Sequence, residues 1–189
     1  MNRRGASSLL LLKFLALSAC SSREPLGSFN LVPQFQLVDQ TGASFSSATQ
    51  LAGKVWIADF IFTSCAGPCP RMGSQMRQVQ NALADIPGVR LVSFTVDPKR
   101  DTPAVLAAYA KRYAAQPGRW FFLTGPAEML NDLSLNAFML SKLNGQLDHS
   151  TRFALVDRQG RVRKYYDTAE PRSLPNLIAD ARDLTRSTP

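Results

Sequence analysis

The chain has 189 residues, 45% of them hydrophobic, and 22 lysines and arginines against 14 aspartates and glutamates, a net charge of +8 with one histidine. That length and apolar content suit one globular domain with its own core and exclude a disordered or fibrous chain. The basic residues are interleaved with acids, as at Lys99-Arg100, Lys111-Arg112 and Arg161-Arg163-Lys164, without the aromatic-studded basic stripe of a nucleic-acid binder, so nucleic acid is excluded as a partner.

Arg3 and Arg4 precede an apolar stretch, Leu9 to Leu17, that closes on Ser18, Ala19 and Cys20. This is the layout of an export signal: a positive start, an apolar centre and a small-residue cleavage site. The stretch is shorter than the ~20 apolar residues that span a bilayer, and Lys13 interrupts it, which argues against a transmembrane anchor. Arg3-Arg4 lacks the flanking residues of a twin-arginine signal. Leu17-Ser18-Ala19-Cys20 resembles the lipobox of bacterial lipoproteins, so residues 1–19 are expected to be removed and Cys20 acylated. Removal takes away Arg3, Arg4 and Lys13 and leaves 19 basic against 14 acidic residues, a net charge of +5. Such a charge favours acidic partners or lipid head groups. Ser21, Ser22, Pro25, Gly27 and Ser28 then suggest that 20–32 is anchor and tether, with one domain over 33–189.

Within that domain, Phe35, Leu37 and Phe45 around Gln40-Thr41-Gly42 predict a hairpin. Val55 to Phe62 is an almost unbroken apolar run of strand length, expected to be a central strand buried on both faces. Met72, Met76, Val79 and Leu83 recur at spacings of four, three and four, which predicts a core-facing helix of about 14 residues; the two methionines read as core positions, not as a copper-binding stripe. Val89 to Val96 predicts the next strand. Thr102 and Pro103 supply the cap and first residue of a helix carrying Val105, Leu106, Tyr109 and Tyr113. Trp120 to Leu123 is a further strand, and Met129, Leu130 and Leu133 begin another helix. Phe153 to Val156 and Val162 to Tyr166 flank the turn sequence Asp157-Arg158-Gln159-Gly160. A last helix shows Leu174, Leu177, Ile178, Ala181 and Leu184. After the hairpin the order is βαβαβαββα, that of a thioredoxin-like α/β fold with an inserted helix.

The chemistry concentrates in Phe62-Thr-Ser-Cys65-Ala-Gly-Pro-Cys69-Pro70. With Cys20 acylated, Cys65 and Cys69 are the two thiols left. On a helix, positions four apart differ by only about 40°, so both sulfurs are expected on one side of the helix start, where the backbone dipole favours thiolate. Either a disulfide or a metal dithiolate would fit such a pair. Three residues between the cysteines, one more than in Cys-Gly-Pro-Cys, give room for an ion. His149 stands 80 residues beyond Cys69. Alone it reads as a structural or exposed histidine, but in this fold the loop before the third central strand lies beside the cysteine helix, and His149 would meet the dithiol from the opposite side. Two thiolates and an imidazole suit copper, with zinc as the competing metal that would leave its fourth position unfilled.

The segments Gly53 to Cys65, Cys65-x₃-Cys69-Pro70, Ser93 to Pro103, Trp120 to Gly125 and His149 to Asp157, in this order, resemble the Sco/SenC family over about Pro33 to Leu184. The resemblance implies a membrane-anchored, extracytoplasmic copper protein that assembles the Cu(A) site of cytochrome c oxidase. It would deliver copper or keep the acceptor cysteines reduced, with the Cu(A) subunit or an intermediate copper chaperone as partner. It implies Cys65, Cys69 and His149 as copper ligands and gives Asp97 a supporting role behind them. Ala66-Gly67-Pro68 departs from members that carry an acid between the cysteines, and leans towards redox work. The competing reading is a thiol-disulfide oxidoreductase in which Cys65 attacks, Cys69 resolves and metal binding is incidental. A peroxiredoxin-like peroxidase is disfavoured because Thr63 stands only two residues before Cys65, not at the Pro-x₃-Thr-x₂-Cys spacing.

Overall fold

The computed structural model describes residues 25–139 and 150–187. Asp39 shapes the first hairpin: its side chain accepts from the backbone N–H groups of Thr41 (2.8 Å) and Ala43 (3.2 Å) and from the Thr41 hydroxyl (2.5 Å). Gly42 takes φ +83°, where a side chain would be strained. Strand β1 (Gln36–Asp39) therefore folds back onto β2 (Ser44–Ser46), and one helical turn, α1 (Ser47–Gln50), follows.

All seven residues of β3 (Val55–Ile61) are buried, because the strand lies between parallel β4 (Val89–Thr95) and antiparallel β6 (Arg152–Val156) and is covered on both faces. That placement explains why its sequence is a run rather than an alternation. The remaining strands are β5 (Trp120–Thr124) and β7 (Val162–Asp167), and the sheet order is β2-β1-β5-β4-β3-β6-β7. A parallel centre, β3-β4-β5, with antiparallel β6 and β7 beside it is the thioredoxin-like pattern, extended at its other edge by the hairpin.

Helices α2 (Cys69–Ala82), α3 (Pro103–Arg112) and α5 (Ser173–Arg186) cover the face that carries Val55, Ile57 and Ile61. Met72, Met76, Val79 and Leu83 are fully enclosed there, worth about 1.5–3 kcal/mol each. Gly73 lets α2 press against Tyr113, since a Cβ at that position would stand 2.5 Å from the ring. Thr102 caps α3, accepting from the Val105 N–H at 3.4 Å, but Val105 faces solvent; the buried line of α3 runs through Leu106, Tyr109 and Ala110.

The opposite face, carrying Trp56, Ala58 and Phe60, packs Phe35, Phe45, Phe94 and Phe138 into an aromatic cluster. Helix α4 (Ala127–Asp132) runs into a π-helical turn, Leu133–Ala137, in which the Phe138 N–H donates to Leu133 O at 2.9 Å. The wider turn keeps Leu133, Ala137 and Phe138 all facing the core.

Upstream of the hairpin the chain lies along β7. Phe29 and Val32 N–H donate to Val162 O and Gly160 O, both at 2.9 Å, and Val162 N–H donates to Asn30 O. Leu26 packs against the α2 side of the core, so residues 26–32 of the expected tether lie against the domain. Among the described residues no helix is long and apolar enough to cross a membrane. The expected signal 1–19 and Cys20 lie outside the described residues.

Candidate dithiol site

Strand β3 ends at Ile61 and α2 begins at Cys69, so Cys69, not Cys65, sits at the helix start. Pro68, which has no N–H to place in a helical ladder, stands at the cap position, and Pro70 fits the first turn. The rotation argument for two cysteines on one helix therefore does not apply, since Cys65 lies four residues before the helix. A loop achieves the same meeting: the Cys65 N–H donates to Phe62 O at 3.2 Å, which curls the chain back over the helix end.

The two thiols are free and lie within hydrogen-bonding reach of each other. Cys65 is 8% exposed and Cys69 1%, so both thiols are buried and Cys69 lies the deeper of the two. Burial pushes the Cys69 thiol up from 9.0 to about 12, and the neighbouring Cys65 thiol adds to the rise, while the Phe62 backbone pulls the other way. The helix dipole was expected to favour thiolate here. Desolvation of a fully enclosed sulfur outweighs it, and the metal-free protein holds Cys69 as a thiol.

Behind the pair lies Asp59. It points from β3 towards the α2 face, is fully buried, and neither carboxylate oxygen reaches a hydrogen-bond partner. Burial raises it from 3.8 to about 7, with the Ser93 hydroxyl of β4 pulling the other way. Its field also reaches Cys69 and Tyr109, and the Tyr109 hydroxyl is likewise enclosed without a partner. Inside the β3 run this aspartate passed unremarked in the sequence, although an acid in an otherwise apolar buried strand is itself a signal.

Asp97 accepts from Arg100 Nη1 at 2.8 Å on a partly exposed turn, and no hydrogen bond among the described residues ties it to either cysteine. Asp101, four residues further along, is the acid that faces the cysteine loop: it is fully buried and accepts from Thr63 and Thr95. In the sequence Asp101 stands only as one residue of the Ser93 to Pro103 segment. His149 lies outside the described residues. Among those described, no three His, Cys, Asp or Glu side chains gather as a metal site, which leaves the dithiol as the described part of the predicted centre.

A model of the SCO1/SenC family matches residues 23–185. This chain belongs to the SCO1/SenC family. A SCO1 protein homolog of Bacillus subtilis is 35% identical over 179 residues, covering 91% of this chain and 92% of that protein. A protein of Stutzerimonas stutzeri named as putatively copper-binding is 36% identical over 143 residues, 70% of this chain and 67% of its own. The solved structure of BsSco, described as a member of the Sco family of cytochrome c oxidase assembly proteins with a disulfide switch, superimposes with a TM-score of 0.74 at 33% identity, covering 88% of this SCO1/SenC chain and 99% of that one.

Proposed function

We propose that this SCO1/SenC protein binds copper as cargo through Cys65, Cys69 and His149 and serves assembly of the Cu(A) site of cytochrome c oxidase. The observation that carries the reading is the pair of free, water-shielded thiols at the start of α2. Adjacent sulfurs with so little exposure form a soft donor pair, suited to Cu(I), which accepts two near-linear thiolates; zinc would ask for four ligands. On coordination each cysteine gives up its S–H proton, and Cys69, whose thiol burial pushes up, makes loading favour higher pH. His149 supplies nitrogen for the oxidised ion. The copper-binding name of the Stutzerimonas relative and the oxidase-assembly role given to BsSco support the assignment. Acylation of Cys20 would hold the protein at the outer side of a cytoplasmic membrane or in the periplasm, next to the Cu(A) subunit or an intermediate chaperone.

A second reading follows from the same pair. Cys65, the more exposed thiol, can attack a partner's disulfide, and Cys69 can then displace the partner; two electrons and two protons pass to the partner's cysteines, and Cys65–Cys69 becomes the disulfide. The disulfide switch described for BsSco favours this chemistry as part of the same cycle. His149→Ala separates the two. A copper site with nitrogen among its donors should lose Cu(II) affinity by at least about 100-fold, roughly 2.7 kcal/mol, while Cu(I) binding and reduction of a model disulfide persist. Competition titrations of both copper states against chelators measure this; unchanged Cu(II) affinity with an unchanged thiolate absorption band would leave the dithiol reading as the better one.

A further inference from the structure

A fully buried carboxylate ties the cysteine loop to the rest of the fold. Asp101 accepts at Oδ1 from the Thr63 hydroxyl (2.5 Å) and at Oδ2 from the Thr95 hydroxyl (2.5 Å), and the Thr63 N–H donates to both oxygens, at 3.3 and 3.1 Å. The Thr95 oxygen is itself engaged, accepting from the Asp97 N–H at 3.0 Å, so its single hydrogen is directed at Asp101. With every neighbour donating, the carboxylate acts as a pure acceptor. Its own N–H donates to Asp97 O at 2.9 Å, which closes the turn between β4 and α3. No cation pairs with it among the described residues; Arg100 turns away to Asp97.

These bonds converge on one point. Thr63 follows Phe62, and the Phe62 backbone touches both cysteines: its oxygen accepts the Cys65 N–H, and its backbone lies against the Cys69 thiol. The Val96 N–H donates to Ile61 O at 2.8 Å, so the strand end on the other side of Phe62 is also held to β4. The short link Ile61-Phe62-Thr63 thus has its backbone anchored on both sides. Bonds to an ionised acceptor are about twice as strong as neutral ones, and the acceptor side chain here is fully buried. Bulk hydrophobic packing does not explain the arrangement, since an aliphatic residue at 101 would strand three donors.

We propose that Asp101, acting through Thr63, is a positioning residue that holds Cys65 against Cys69 and so sets the thiol–disulfide equilibrium of the pair. The inference rests on the dithiol being the reactive group, as both readings above require. Closing a disulfide needs the two sulfurs to meet, and a loop already fixed with them adjacent has a high effective concentration of one thiol for the other. Releasing Thr63 lets Cys65 sample positions away from Cys69, which disfavours the disulfide relative to the dithiol.

The test equilibrates full-length protein with mixtures of reduced and oxidised dithiothreitol, in which the two thiol hydrogens and two electrons of Cys65 and Cys69 pass to the reagent's disulfide. The variants are Asp101→Asn, Thr63→Val and Thr63→Ser, with urea unfolding of each in both redox forms. The equilibrium constant for forming Cys65–Cys69 should fall about tenfold in Thr63→Val and Asp101→Asn, the scale of one hydrogen bond to a charged group. Thr63→Ser, which keeps the hydroxyl, should match wild type. If Asp101→Asn does not fold, Thr63→Val carries the comparison alone. Variants that lose equal stability in both redox forms and exchange like wild type would show a merely structural bond and overturn the proposal. Wild type that forms no Cys65–Cys69 disulfide would instead overturn the dithiol reading on which it rests.

Discussion

Replacing Asp59 with asparagine should make the protein more stable at neutral pH, although it alters the centre of the sheet. The carboxyl sits in β3 with all seven residues buried and no hydrogen-bond partner for either oxygen. Its folded-state value of about 7 lies above its ordinary 3.8, so between those values the unfolded chain releases the proton that the folded chain retains. Stability from this group is complete below about pH 4, declines as pH rises, and is lost once pH passes about 7. A separation of about three pH units at 1.36 kcal/mol each sets an upper limit of about 4 kcal/mol. Asparagine has nearly the same shape and cannot ionise, but its amide hydrogens are no better satisfied, so at low pH the two proteins should differ by only about 1 kcal/mol. At pH 8 Asp59→Asn should then be more stable by about 2–4 kcal/mol. Urea unfolding of the reduced proteins at pH 4.5, 6 and 8 measures the difference, and subtraction of the two curves cancels the other carboxylates. A variant equally destabilised at every pH, or a wild type whose stability relative to the variant does not change with pH, would refute the reasoning.

Gly73→Ala should cost about 1–3 kcal/mol, the usual penalty for overpacking, because its Cβ meets the Tyr113 ring at 2.5 Å and Tyr113 is held against Tyr109 and Trp120; a thermal midpoint equal to wild type would mean that α2 and α3 separate freely. Cys20→Ser should release the protein from the membrane fraction or leave an uncleaved precursor, since acylation is the proposed anchor. Mass spectrometry of the membrane-bound wild type decides this, and residues 1–19 still attached would contradict it.

The sequence made the frame legible where burial leaves a periodic trace. The run Val55 to Phe62 reads as a strand covered on both faces, and β3 follows it as far as Ile61, while the spacing of Met72, Met76, Val79 and Leu83 matches the enclosed line of α2. Gln40-Thr41-Gly42 announced the hairpin, and Thr102-Pro103 the start of α3. What escaped depends on three-dimensional neighbours. Cys65 was placed on the helix because spacing alone does not reveal that α2 starts only at Cys69, just after Pro68. The helix dipole suggested a thiolate, but the degree to which α2 and β3 enclose Cys69 decides its charge, and enclosure is a property of packing. Val105 fits a helical period yet faces solvent, because α3 leans on β5 through Leu106 and Tyr109. Asp101 looks like any acid in a turn until the fold brings Thr63, 38 residues away, onto its oxygens. The stretch 27–32 has the composition of a linker, yet its backbone is used by the edge of β7.

Copper stoichiometry as a function of thiol redox state tests the central proposal most directly. Reduced protein, incubated with copper and freed of excess metal, should retain one equivalent per chain, and protein oxidised to the Cys65–Cys69 disulfide should retain essentially none, because the disulfide removes both sulfur donors. Cys65→Ser and Cys69→Ser should each behave like the oxidised form. Equal copper uptake by the reduced and oxidised proteins would place the metal elsewhere and contradict the dithiol site.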